Sequence, residues 1–220
     1  MWDYPLKPGT EAWYQLPTET ERIAAVQVPE HIIKELSSEG VVELCIEFPR
    51  FGHYTAFDTP QIGFSIMLNN YNILRELIGR KDAGKSLIAI YKDAGMQGFN
   101  KLPYSNDFWT MKLDYIELLL SQKEIIKSLT SEEKLELITE ARKKYDEKFF
   151  NEDFSSLPGL FPTVRIIASI LNDINFPEFS IYQENINVTM LIETGLSYDE
   201  LPPIDEILSI ADKYIESKSE

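Results

Sequence analysis

Cysteine is nearly absent from this sequence: Cys45 stands alone, and His31 and His53 are the only histidines. A lone cysteine excludes an intrachain disulfide. Its place among Val41, Val42, Leu44 and Ile46 marks it as a small buried hydrophobe and not a nucleophile. So few Cys and His residues cannot assemble a Cys/His zinc site of usual composition within one chain. No Glu-x-x-His pair occurs, which removes the di-metal carboxylate sites of helical bundles, so no metal or cofactor is expected. No apolar run approaches the ~20 residues needed to span a bilayer, so membrane insertion is not expected. The opening MWDYPLKPG lacks the basic start and apolar segment of a signal peptide. The chain is therefore expected in the cytoplasm if Met1 is the natural start, and outside it if a leader has been removed. Positive charge is also short: 21 Lys and Arg against 36 Asp and Glu give a net charge of −15. Such a balance repels phosphate backbones and anionic membranes, so nucleic acid is not an expected partner, and it keeps a chain soluble.

Helix starts are plentiful, above all between Thr18 and Pro49. Thr18 with Glu21 reads as a capping box, Pro29 suits a first helical turn, and Ser37 or Ser38 precedes the apolar run from Val41 to Ile46. Residues 2–17 hold Trp2, Tyr4, Trp13 and Tyr14 between Pro5, Pro8, Gly9 and Pro17. The prolines predict an extended arm whose aromatics lie across the first helices.

Three blocks of this region, the D-Y-P-x-K-P-G-x-E-x-W leader (Asp3 to Trp13), A-A-x-Q-x-P-E (Ala24 to Glu30) and L-S-S-E-G-V-V-E-L-C-I-E-F-P (Leu36 to Pro49), together with R-K-D-A-G (Arg80 to Gly84), resemble an uncharacterised family of bacterial helical proteins. The resemblance covers roughly the first 95 residues well. It implies an α-helical fold, no assigned activity, and export for some relatives.

Further along, FPRFGHYTAFDT (Phe48 to Thr59) is an aromatic-rich loop in which Phe51, His53, Tyr54 and Phe57 are candidates for a partner-binding surface, the alternative being a plug between helices. Thr59-Pro60 opens a helix carrying Phe64, Met67, Leu68, Tyr71, Leu74 and Ile78, with a break at Asn69-Asn70 and a stop at Gly79. Gly79 to Ser86, GRKDAGKS, matches the phosphate-binding P-loop expression. That motif needs a buried strand leading into the loop, whereas YNILRELI before it is an amphipathic helix. We therefore expect no nucleotide there, only a helix end and a new helix over Lys81–Lys92. A subdomain boundary is placed near 95–104, where two glycines and a proline cluster.

The second half is more regular. A helix carries Phe108, Met111, Tyr115, Ile116 and Leu119, and a short one follows in SQKEIIKSL. Thr130 with Glu133 forms another capping box before a helix whose inner side is expected to be Leu135, Ile138, Ala141, Tyr145 and Phe149. Its other side, Glu132, Glu133, Glu136, Glu140, Arg142, Lys143, Lys144 and Lys148, reads as a solvated face. Val164 to Leu171 is apolar nearly all round and should be central. Residues 177–194 fit a helical stripe (Phe179, Tyr182, Ile186, Met190) or the alternation of a hairpin; helix is preferred because no partner strand is in sight. A last helix spans Pro203 to about Ser217.

The fold expected is all-α: one domain over 1–220, with about nine or ten helices in antiparallel pairs, an irregular bundle or a short solenoid, and an N-terminal arm. The function expected is a non-enzymatic protein-interaction module. The alternatives are a carboxylate-based hydrolase, for which 36 carboxylates nominate no pair, and an acidic inhibitor or immunity-type protein for a basic partner.

Overall fold

A computed structural model describes residues 2–94, 106–151, 156–197 and 200–218. The chain is all-α, with no strand among these residues, and ten helices run seven residues or longer. No helix among them is long and apolar enough to cross a membrane. The boundary placed at 95–104 lies outside the described residues.

The first half begins with a departure from expectation. The arm is not wholly extended, because Glu11–Tyr14 forms one helical turn, α1. Gly9 takes a positive φ of 87°, and the Thr10 side chain caps the turn beyond the reach of Pro5 and Pro8. The arm docks through Tyr4, whose hydroxyl donates to Leu44 O at 3.0 Å, and through Trp13, which lies beneath the Arg50 guanidinium. Tyr14 points into solvent.

Next come α2 (Glu19–Ala25), with its Thr18–Glu21 capping box, then α3 (Glu30–Glu35) and α4 (Ser38–Ile46), the last capped by Ser37. A 3-10 turn over Phe51–Ala56 precedes α5 (Pro60–Asn70) and α6 (Asn72–Gly79). The break between α5 and α6 falls at Tyr71, which is extended. Gln27 and Asn72 tie the interruption to the α2–α3 link: Asn72 N donates to Gln27 Oε1, and Asn72 Nδ2 donates to Val28 O at 2.6 Å. Polar groups freed by the break are thereby satisfied. After Arg80, α7 covers Ala83–Asp93 and packs on both α4 and α8.

The second half comprises α8 (Asn106–Leu120), α9 (Lys123–Ser128), α10 (Ser131–Phe149), α11 (Leu157–Asp173), a 3-10 turn over Pro177–Tyr182, α12 (Ile186–Thr194) and α13 (Ile204–Glu216). As the apolar run at Val164 predicts, α11 is central, touching α8, α9, α10, α12 and α13. Residues 177–194 are helical but in two pieces. Asn185 caps α12 through its side chain, so Ile186 and Met190 do not continue the stripe of Phe179; Val188 and Leu191 are the residues of α12 that enter the core. Gly195 ends α12 with φ 82°, a left-handed conformation that glycine adopts without strain.

Candidate functional site

The aromatic segment from Phe51 to Phe57 divides in two. Phe51 and Tyr54 are buried; Phe51 sits 5.3 Å from the Phe108 ring, and Tyr54 stacks at 6.1 Å on Tyr115. His53 and Phe57 remain half-buried, 5.6 Å apart. Burial first, and then the Arg50 cation beside it, lowers the affinity of His53 for a proton. Close approach explains the buried half: Gly63 of α5 lies against the Tyr54 backbone, where an added Cβ would meet the carbonyl oxygen at 2.2 Å.

The P-loop-like stretch is divided between the end of α6 and the start of α7, with a helix where the motif requires a strand. Gly84 lies against Leu129, 2.4 Å from where its Cβ would be, and Lys85 points outward. Its glycine is a packing residue. Cys45 is fully buried, its thiol directed at Ile73 O, and burial raises its pKa well above the ordinary thiol range.

The outer face assigned to α10 needs correction. Lys144 and Lys148 are not solvated; both ammonium stems continue the inward stripe of Leu137 and Ala141, while Phe149 is 52% exposed. Their charges are met inside. Lys148 Nζ donates to Glu117 Oε2 at 2.6 Å, to Asp114 Oδ1 at 3.2 Å and to Gly159 O at 3.0 Å. Glu117 accepts at its other oxygen from Tyr91 and Thr163, each at 2.7 Å, so α7, α8, α10 and α11 converge on one carboxylate. Two carboxylates share one ammonium. Asp114, the one nearer solvent, is pushed up to about 6, by burial first and with the Glu117 charge adding to it.

Next to this layer, α11 carries Arg165, Ser169 and Asn172 on one face, at i, i+4 and i+7. They line a cleft of about 450 Å³ between α5, α9, α11 and α12, together with Gln61, Ser121, Gln122 and Lys123. Arg165 is 4% exposed. Its Nε donates to Ile192 O at 2.9 Å and one Nη to Gln61 Oε1 at 2.6 Å, while Gln61 and Gln122 bond to each other. Among the described residues no carboxylate pairs with it, and burial alone pushes its pKa down to about 10. The Ser169 hydroxyl, in a residue 9% exposed, is buried with no partner. A second, smaller cleft of about 180 Å³ shares Arg165 and Ser121 and is otherwise mostly apolar. Tyr54, a candidate from the sequence, lines this one.

Sequence reading missed Arg165, Ser169, Glu117 and Lys148. The available signals were a polar stripe at helical spacing through the apolar Val164–Leu171 run, and a glutamate inside the apolar run Ile116–Leu120. Chemically, the arrangement offers a buried, permanently charged fork and a free hydroxyl at an open cleft. Among the described residues no group of three or more metal-ligating side chains converges. Comparison of the chain with family models, with curated proteins and with solved structures finds no match to any of them.

Proposed function

We propose that this protein is a non-enzymatic binding module whose ligand presents a carboxylate to Arg165. One observation supports the reading: a guanidinium removed from water, without a carboxylate of its own, borders an open cleft. Burying an unpaired cation is costly, and natural interiors pair such charges. Here the protein supplies only neutral acceptors, Ile192 O and Gln61 Oε1. A ligand carboxylate would complete the pairing, in the planar geometry that suits arginine. This reading keeps the expected interaction module and gives its ligand a chemistry.

The test is thermal melting in sodium acetate against sodium chloride at matched ionic strength. The expected result is a rise in melting temperature with acetate, following ligand mass action, that disappears in Arg165→Met. Equal shifts in both proteins, or none in the parent, would overturn it.

A second reading, a basic partner segment, is favoured by a different surface. The 3-10 turn over Pro177–Tyr182 and α13 enclose a shallow groove of about 560 Å³ lined by Glu178, Asp205 and Glu206 against one cation, Lys213, with Ile181, 74% exposed, among them. Capture of a Lys- and Leu-rich amphipathic peptide that weakens steeply between 50 mM and 300 mM salt, and is lost in Asp205→Asn/Glu206→Gln, would support it.

A further inference from the structure

We infer that the ligand of Arg165 is a monocarboxylate bearing one compact apolar group, which occupies the smaller cleft. The inference rests on the anion-binding reading above and adds the identity of the rest of the ligand.

The direction of the guanidinium carries the argument. Its Nε and one Nη are engaged by Ile192 O and Gln61 Oε1, both from residues of the larger cleft. The remaining nitrogen, Nη1, lies 3.4 Å from where a Cβ on Gly195 would stand, and Gly195 belongs to the wall of the smaller cleft. The unengaged edge of the fork therefore faces the smaller cleft. A carboxylate seated on that edge directs its substituent along walls made by Pro60, Leu118, Pro158, Pro162 and Leu196. Gly195 has no side chain in the way.

Size narrows the substituent. An apolar cavity of about 150 Å³ takes a benzene ring, so one of about 180 Å³ takes a phenyl or a branched alkyl group and little more. Charge narrows it again. Besides Arg165, Asp114 is the one charged side chain on the walls, and its ammonium partner Lys148 is shared with Glu117. A second carboxylate on the ligand would be brought against Asp114 in surroundings that solvate charge poorly, so dicarboxylates are selected against.

The experiment is calorimetric titration of the full chain at pH 7.5 with four probes: phenylacetate, isovalerate, acetate and succinate. Burial of the apolar group is expected to make phenylacetate and isovalerate bind at least about 10-fold more tightly than acetate, with succinate no tighter than acetate. Leu196 is half-buried, so Leu196→Trp fills the cleft with little risk to the fold. It should remove the 10-fold advantage of phenylacetate and isovalerate over acetate. If all four probes bind the parent alike and Arg165→Met abolishes them, the apolar cleft plays no part and this inference falls, while the anion-binding reading stands. If none binds, or if Arg165→Met binds as the parent does, both fall together.

Discussion

Replacing Lys148 with methionine keeps most of the stem that continues the inner face of α10 and deletes only the charge. Glu117, fully buried, and Asp114 then lose the one cation that pairs with them among the described residues, while Tyr91 and Thr163 still donate to Glu117 Oε1. Breaking a buried pair in this way costs about 3–5 kcal/mol, because the remaining charge is desolvated without compensation. For a chain of this size a loss of 1 kcal/mol lowers the melting temperature by about 2–4 °C, so Lys148→Met should melt roughly 6–20 °C below the parent. Adding Glu117→Gln removes the stranded charge while its side-chain oxygen still accepts from Tyr91 and Thr163. The double mutant should therefore recover a large part of the loss, with a coupling of about 1–3 kcal/mol between the two sites. Calorimetric melts of parent, both single mutants and the double mutant give the full cycle. A Lys148→Met protein melting within 2 °C of the parent, or single losses that simply add, would refute the claim that this pair is desolvated.

Other expectations follow from the same geometry. Asp114 has its folded-state pKa pushed up to about 6 from 3.8, so the folded chain holds that proton where the unfolded chain releases it; stability attributable to this group falls as pH rises from 4 to 6. Asp114→Asn should thus raise the melting temperature at pH 7.5, by at most about 3 kcal/mol of stability, and leave pH 4 unchanged; a mutant melting lower at pH 7.5 would contradict this. Gly63→Ala should destabilise by about 1–3 kcal/mol in denaturant titration, because its Cβ would overlap the Tyr54 carbonyl oxygen, a backbone atom that cannot swing aside. Trp13→Ala should cost about 3 kcal/mol, whereas Tyr14→Ala, at a side chain 71% exposed, should stay within about 0.5 kcal/mol; matching melts for the two would mean that α1 does not dock the arm.

Local chemistry was the legible part of the fold. Thr18–Glu21 and Thr130–Glu133 form the capping boxes their spacing implies, and Ser37 caps α4, because capping involves residues only three apart. The Asn185 cap was hidden within a plausible longer stripe, and Thr10 started a helical turn in a segment whose prolines argue against one. Burial of charge was illegible for a different reason. Lys148 and Lys143 look equivalent along the chain, yet Lys148 meets a buried glutamate 31 residues away, while Lys143 stays exposed and pairs loosely with Glu140 and Glu147 of its own helix. Only packing decides between them. Arg165 falls between these cases: nothing nearby in sequence reveals that Gln61 accepts a hydrogen bond from it, but its stripe with Ser169 and Asn172 is written in the spacing.

The bond from Arg165 to Gln61 joins residues 104 apart, and the helix that carries Arg165 is the one around which the later helices gather. Synthesis from Leu120 to Asp173 takes about 3–10 s at ~5–20 residues per second. During that interval α8 and α10 emerge before the helix that covers them, with Leu119, Leu137, Ile138 and Ala141 on their inward sides. A chain halted before α11 is complete holds those faces in water and lacks Thr163, a donor to Glu117. Vectorial growth thus sets a period in which these apolar faces lie open to solvent and to other chains, and it closes only when the central helix arrives.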